Sequence, residues 1–259
     1  MAQVNNAFYD DLGDRWFESD DHAIALLRAE ASLKDAYMME VFERHGIGPG
    51  ARVLDVACGA GLMALPLAAR GYRVEGIDLS EPSLDAARQR VPSGVKASFR
   101  VGDATALDAE DASYDAVLLF DMLEHVEDQQ GVVAEAARVV RPGGVVLFNT
   151  FNRTPLAWLV AVHGFRFVVR EAPDHIHVWR LFLPPTELAA MADTVGLAVE
   201  EVRGVRPTLD GSFWRSLVHR RIDDSFSFTS TRSWGVGYKG VAVRRPRQRG
   251  DLEPEPAGL

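Results

Sequence analysis

The stretch VLDVACGAG, residues 53–61, decides the fold. An apolar run carrying one acid, Asp55, ends in Gly59-Ala60-Gly61. Two glycines there let the chain turn tightly and let a ligand approach the backbone closely. RVLDVAC (52–58) therefore reads as a first strand, and the chain after Gly61 as a helix through about Arg70. YRVEGID (72–78) is expected as strand two and ends in Asp78, where a carboxylate can accept from both hydroxyls of a ribose. SEPSLDAARQRV (80–91) opens like a capped helix, with Ser80 at the N-cap and Pro82 in the first turn. ASFRVGDA (97–104) and YDAVLLFD (114–121) are strands three and four, and VVLFNTF (145–151) is strand five. Between them, GVVAEAARVV (131–140) is a helix stopped by Pro142-Gly143-Gly144. Apolar strands alternating with helices mean an α/β fold, a mostly parallel sheet with helices on both faces.

The flanks follow from the same signals. Residues 20–45 carry a helical stripe of Ile24, Leu27, Ala31, Leu33, Tyr37, Met38, Val41 and Phe42, broken by Gly46, Gly48, Pro49 and Gly50. Residues 1–45 form an N-terminal helical extension and 46–245 the α/β domain. Within it, 152–183 interrupts the alternation as an aromatic, apolar insert. PPTELAAMADTVGL (184–197) is a helix with Thr186 as N-cap, AVEEVRGV (198–205) a strand, and RSWGVGYKGVAVRR (232–245) the last strand, seven in all. Residues 246–259, rich in Pro, Arg and Glu, are expected to be a disordered tail.

Composition removes several function classes. The net charge is −9, from 28 basic against 37 acidic residues, which argues against wrapping nucleic acid. The cluster Arg244, Arg245, Arg247 and Arg249 reads as part of a solvated tail. Cys58 is the single cysteine, so no intrachain disulfide forms and a reducing cytosol fits. The N-terminus lacks the basic and apolar regions of a signal peptide, and no apolar run is long enough to span a bilayer. The expected location is cytoplasmic, with peripheral membrane contact left open.

GAGLMA (59–64) satisfies the dinucleotide fingerprint G-x-G-x-x-G/A, so the pattern alone does not choose a cofactor. Three features count against a dinucleotide. Asp55 would face a pyrophosphate unfavourably but suits a cationic amino acid group. Asp103, after strand three, is placed to accept from an adenine amine. No separate domain supplies a hydride-transfer His or Tyr/Lys pair. The chain resembles the class I S-adenosylmethionine-dependent methyltransferases, with their Rossmann-like fold. Asp55, Gly59, Gly61, Asp78 and Asp103 match their cofactor positions in order.

A narrower resemblance covers about residues 5–245. FYDDLGDRWF and ALLRAE precede the fold core, LDVACGAG, DMLEHVED and RPGG lie inside it, and FNTFNRTPLAWLVAVHG and APDHIHVWRLFLPPTEL follow strand five. Together they resemble the ubiquinone-biosynthesis O-methyltransferases, which methylate a polyprenylated catechol. The resemblance implies a cofactor set of Arg28, Asp55, Ala57, Gly59, Gly61, Asp78, Leu79, Asp103, Ala104, Phe120 and Met122. By position, Arg28 matches the arginine that meets the cofactor carboxylate; the alternative is a surface arginine on a helix. This chain departs from the family in Asp121, where glutamate is usual, and in Ala57 and Ala60, which replace common glycines.

DMLEHV (121–126) gathers Asp121, Glu124 and His125 at the carboxyl edge of strand four, where open α/β sheets bind ligands. Two readings stand. In one, the three residues lie on a helical face and join His177 of DHIHVW to hold a divalent ion, Mg or Zn. Chelation would favour the catecholate, whose hydroxyl otherwise titrates near 10 like a tyrosine. In the other, Glu124 supports the helix N-terminus, no metal is present, and His125 acts as general base on the phenol. The remaining histidines, His22, His45, His163, His175 and His219, are expected to be structural or exposed.

The insert LAWLVAVHGFRFVVR (156–170) carries Leu156, Trp158, Leu159, Val162, Phe165, Phe167 and Val168, with Arg166 and Arg170 among them. It reads either as a core helix or, as the resemblance implies, as a membrane-facing element admitting an isoprenoid tail. DGSFWRSLVHRRIDDSFSFTS (210–230) is expected as a second aromatic wall. Three functions remain in play: methylation of a polyprenylated phenol or catechol in quinone synthesis, the same chemistry on another hydroxylated metabolite, and a non-catalytic lipid-binding scaffold. The partner is a small phenolic or isoprenoid molecule.

Overall fold

The computed structural model describes residues 5–20, 23–169 and 176–246. His22, His175, Arg170 and the tail beyond Pro246, with Arg247 and Arg249, lie outside the described residues. The first elements are a 3-10 turn at Asn6–Asp11, a short helix α1 (Arg15–Glu18) and the long helix α2 (Ile24–Arg44).

Strands β1 (Arg52–Val56), β2 (Arg73–Asp78), β3 (Ala97–Val101), β4 (Tyr114–Phe120) and β5 (Val140–Phe151) are mutually parallel. Helices α3 (Ala64–Ala69), α4 (Glu81–Arg88) and α5 (Gln129–Val139) make their crossovers. After β5 come α6 (Pro155–Ala157), a π-helical turn at Trp158–Gly164, α7 (Phe165–Val168) and α8 (Pro185–Thr194). Then β6 (Leu197–Pro207), α9 (Gly211–His219), β7 (Phe228–Thr231) and β8 (Gly237–Arg244) complete the order. The sheet reads β3-β2-β1-β4-β5-β8-β6-β7, with β8 antiparallel to β5 and β6, and β7 antiparallel to β6.

The expected α/β architecture is present, but with eight strands rather than seven. The extra one, FTST at 228–231, is an edge strand on β6. It is too short and polar to carry a periodic signal. Thr186 does not cap α8: Pro184 holds that position with no side-chain cap, and its successor Pro185 starts the first turn. Ser80 does cap α4, accepting from the Ser83 amide at 3.4 Å. Helix α5 needs no proline to stop it, because Val140 already has extended backbone and opens β5.

Alternate residues of each central strand go to opposite faces. Leu54, Val117, Leu119, Val146 and Phe148 pack with α5 and α8, while Val53, Ala116, Leu118, Val145 and Leu147 pack with α2, α3 and α4. This two-sided burial pins the register, since a one-residue slip would exchange the faces. The strand order reverses direction between β1 and β4, so a crevice opens there beyond their carboxyl ends.

Candidate active site

Two cavities meet at that crevice. The first, about 620 Å³, is floored by the loops after β1, β2, β3 and β4. Of the residues expected from sequence it is lined by Asp55, Ala57, Gly59, Asp78, Leu79, Asp103, Ala104, Phe120 and Met122. Asp78 ties the glycine loop to the end of β2: its carboxylate accepts from the Gly59 amide at 2.8 Å and the Ser80 amide at 2.9 Å. Burial still raises its pKa. Asp103 accepts from the amide and hydroxyl of Thr105 at 2.8 and 2.7 Å, which holds it below the usual carboxylate range. Asp55 is buried, and that burial, with Asp78 nearby, pushes it up to about 7.

Two expected cofactor residues are not part of this lining. Gly61 has φ +77 and an added Cβ would sit 3.1 Å from the Phe99 ring, so it serves the turn and helix–sheet packing. Arg28 points elsewhere. Its guanidinium donates to the carbonyls of Arg15 and Trp16 at 3.2 Å each, and to that of Ser19, fastening α1 to α2. The cation that does line the cavity is Lys34, at the middle of the same helix and missed by sequence reading. Its side chain is 3% exposed, and its ammonium pairs with Asp121 and lies 3.3 Å from Glu30. Burial lowers its pKa, but the two carboxylates together outweigh that and raise it.

The opening 3-10 turn and α1 form a wall of this cavity through Asn6, Tyr9 and Trp16. Trp16 seats its indole over Gly59, where a Cβ would lie 2.5 Å from the ring, and donates to Ser83 Oγ at 3.1 Å. Glycine is required at position 59 both by that contact and by φ +53.

The second cavity, about 470 Å³, is mostly apolar and lies between β5, the insert and α9. Its polar lining includes Glu30, Asp121, Glu124, His125, Asn149, Thr150 and His177, with His163 and Arg206. Tyr9, Leu27, Asp121 and His125 line both cavities, so they form the seam between them. Asp121 turns the chain at the end of β4 with φ +52, a conformation that Asp tolerates better than most residues. Leu123–His125 is a 3-10 turn, separate from α5, whose N-cap is Asp128.

Glu124 is 1% exposed and accepts from the Thr150 hydroxyl at 2.6 Å. Burial, and then the charge of Asp121, push its carboxyl up to about 8. His125 is driven the other way, down to about 3, by burial and by His177, so its ring is neutral. Its Nδ1 is buried with no partner among the described residues. The His177 ring centroid lies 5.7 Å away, and its Nδ1 is 2.8 Å from the Ala161 carbonyl, which selects the tautomer protonated at Nδ1.

The metal set expected from Asp121, Glu124, His125 and His177 does not form. Among the described residues no three His, Cys, Asp or Glu side chains converge as a group able to hold an ion. Asp121 is turned to Lys34 and Asn149, and Glu124 to Thr150. The Lys34 ammonium already neutralises the carboxylate that would have anchored a cation. These donors do not fit a divalent ion in this arrangement.

Nor is the insert a core helix. Ala157 and Ala161 are buried, but Leu156, Trp158, Leu159 and Phe167 are exposed. His163, expected to be structural or exposed, is exposed; it lines the second cavity and stands edge-on to Trp158 at 4.5 Å.

Known proteins agree with this geometry. The family described as "Methyltransferase domain" matches residues 54–148. A Bordetella avium protein named ubiquinone biosynthesis O-methyltransferase is 40% identical over 201 residues, 75% of this chain and 80% of that one. Proteins of the same name from Hahella chejuensis and Methylocella silvestris are 36% and 37% identical, covering 76% and 81% of this chain and 82% and 87% of theirs. Among solved structures, magnesium protoporphyrin IX methyltransferase from Synechocystis with bound SAH superposes with a TM-score of 0.64. Its identity is 18%, over 92% of this chain and 97% of that one, a likeness of fold.

Proposed function

We propose a mechanism on one premise: the chain belongs to the ubiquinone biosynthesis O-methyltransferase family and is an S-adenosylmethionine-dependent O-methyltransferase. Its acceptor is a quinone precursor, and in our reading a catechol or phenol carrying a long apolar tail. The observation that carries this is the seam: the cavity at the nucleotide loop and a second, more apolar cavity share His125 and Asp121.

When bound, S-adenosylmethionine supplies an electrophilic methyl group on its sulfonium. The residues of the larger cavity fit such a molecule. Asp78 is set at the end of β2 for the ribose hydroxyls, Asp103 for the adenine amine, and Asp55 for the amino group. Lys34, rather than Arg28, is the cation available to the carboxylate. Trp16 and Tyr9 close the cavity from the N-terminal side and exclude water.

His125, neutral and lining both cavities, accepts the proton of the reacting hydroxyl as the oxygen–methyl bond forms and the carbon–sulfur bond breaks. Holding both reactants across one seam supplies the positional part of the acceleration. Glu124, adjacent in the chain and lining the same cavity, adds a negative charge when ionised and so favours the imidazolium that forms. No step is assigned to a metal.

The tail would leave through the opening lined by Leu159 and Phe167, which are 56% and 66% exposed. Trp214 and Val218 are exposed on α9, whose Phe213 and Leu217 line the cavity. These side chains support peripheral contact with a membrane surface. No helix among the described residues is long and apolar enough to cross one.

The test is methyl transfer from S-adenosylmethionine to prenylated and short-chain catechols after stripping by chelator. Turnover that survives stripping and is lost in His125→Ala supports the reading. Turnover that vanishes and returns with Mg²⁺ or Zn²⁺ overturns the protein base in favour of an ion. Turnover only with an acceptor unrelated to quinones would move the enzyme to another pathway.

A further inference from the structure

The 3-10 turn Asn6–Asp11 walls both cavities. Asn6, Ala7 and Asp10 line the first, Phe8 lines the second, and Tyr9 lines both. The turn joins no strand of the sheet, and none of its own residues is buried. Lifting it therefore uncovers little apolar surface, which is the condition for local opening well below the cost of global unfolding. Its base is fixed: Arg28 fastens α1 to α2, and Trp16 of α1 sits over Gly59. Between the turn and α1 stands Gly13, with φ +48 and nothing within 4 Å of where a Cβ would be. A glycine in open space can change its backbone angles freely, so it serves as a pivot.

Two hydrogen bonds tie the turn to the site. Asn6 Nδ2 donates to the His125 carbonyl at 3.4 Å, and Ser83 Oγ donates to the Tyr9 carbonyl at 3.0 Å. Ser83 is 1% exposed, and its hydroxyl is used to capacity, accepting from Trp16 Nε1 at 3.1 Å and Ser80 Oγ at 3.0 Å. The Ser80 amide donates to Asp78, whose other oxygen accepts from the Gly59 amide. A continuous chain of hydrogen bonds thus runs from the carboxylate set for the ribose to the backbone of Tyr9.

We propose that this turn is a flap that pivots at Gly13 and is latched by Ser83. Open, it admits and releases the cofactor. Closed, it sets Tyr9 at the seam and so completes the wall of the acceptor cavity. Ser83 is a positioning residue that acts through Tyr9, and the cofactor binds before the acceptor and leaves after the methylated product. That order rests on the acceptor cavity proposed above; the flap does not.

The experiment chases radiolabelled S-adenosylhomocysteine from the protein with unlabelled ligand, alone and with a saturating 4-alkylcatechol. Ser83→Ala removes the latch and keeps the backbone amide that Ser80 caps. It should release S-adenosylhomocysteine ~5-fold or more faster than the native protein. Asn6→Ala removes the other tie from an exposed position and should act in the same direction. In the native protein the catechol should slow release ~10-fold. In Tyr9→Ala, which retains the carbonyl that Ser83 holds, that slowing should fall toward one. A role for Ser83 in stability alone would leave these rates unmoved. Release at the native rate in Ser83→Ala overturns the proposal. Should Ser83→Ala not bind S-adenosylhomocysteine, release at the native rate in Asn6→Ala overturns it instead. A catechol that is turned over yet slows release equally in the native protein and Tyr9→Ala, or in neither, overturns it and leaves the methyl transfer standing. Faster release in the latch variants without turnover of any phenol sinks the acceptor reading and keeps the flap.

Discussion

Lys34 and Asp121 form an ion pair at the seam of the two cavities, joining the middle of α2 to the end of β4. Asp121 also accepts from Asn149, and Lys34 is close to Glu30, so four side chains from three elements make one buried polar cluster.

Removing one partner of such a pair leaves an uncompensated buried charge. Lys34→Met is expected to destabilise the protein by about 3–5 kcal/mol in urea denaturation. The double variant Lys34→Met with Asp121→Asn, which keeps a residue tolerant of positive φ, should recover more than half of that loss. Equal stability of the single and double variants would show that the pair is not coupled.

The pH dependence of turnover should report Glu124. Its carboxyl, pushed up to about 8, is neutral below that pH and ionised above it. Ionisation favours the imidazolium at His125, so kcat should rise with pH through an inflexion near 8. Glu124→Gln should remove the inflexion and leave the rate at its low-pH level. A profile that is the same in both proteins would discharge Glu124 from this role.

Folding stability should respond to His125 in the opposite sense. The imidazole falls from 6.5 in the unfolded chain to about 3 in the folded one, so the unfolded state binds the extra proton between those values. Stability from this group is complete above pH 6.5 and is lost as pH falls toward 3. Glu124 and Asp55, raised to about 8 and about 7, work against stability as pH rises from the ordinary carboxylate range. Melting temperature should therefore peak at mildly acidic pH. Replacing His125 by Gln should flatten the acid limb and spare the alkaline one.

Ala57 occupies the left-handed region at φ +57, where the nucleotide loop leaves β1. A side chain there costs roughly 1–2 kcal/mol. Glycine relieves it but gains freedom in the unfolded chain, worth about 0.4–1 kcal/mol. Ala57→Gly should raise unfolding stability by ~1 kcal/mol, measured in urea, without weakening S-adenosylhomocysteine binding.

Much of this molecule can be read from local sequence. The alternation of strand and helix, the glycine turn after β1, and Asp55, Asp78 and Asp103 near the strand ends all follow from periodicity and turn chemistry over a few residues. The family follows from motifs in the same places. The sequence also marked His125, Glu124 and Asp121 as a group, because they share one short turn.

Only the tertiary structure decided what that group does. The metal set depended on side chains converging across the fold, and Lys34, from a helix remote in the chain, takes Asp121 instead. Arg28 and Lys34 lie on one helix but roughly 120° apart around its axis, so the rotation of α2 against the sheet chooses which cation meets the cavity. Tyr9, Trp16 and Asn149 lie in stretches that carry the family resemblance but are not singled out there as site residues; they become so because the N-terminal turn and β5 pack against the nucleotide loop and β4. Local pattern sets which elements form. Which side chains face one another is set by the packing of elements far apart in the chain.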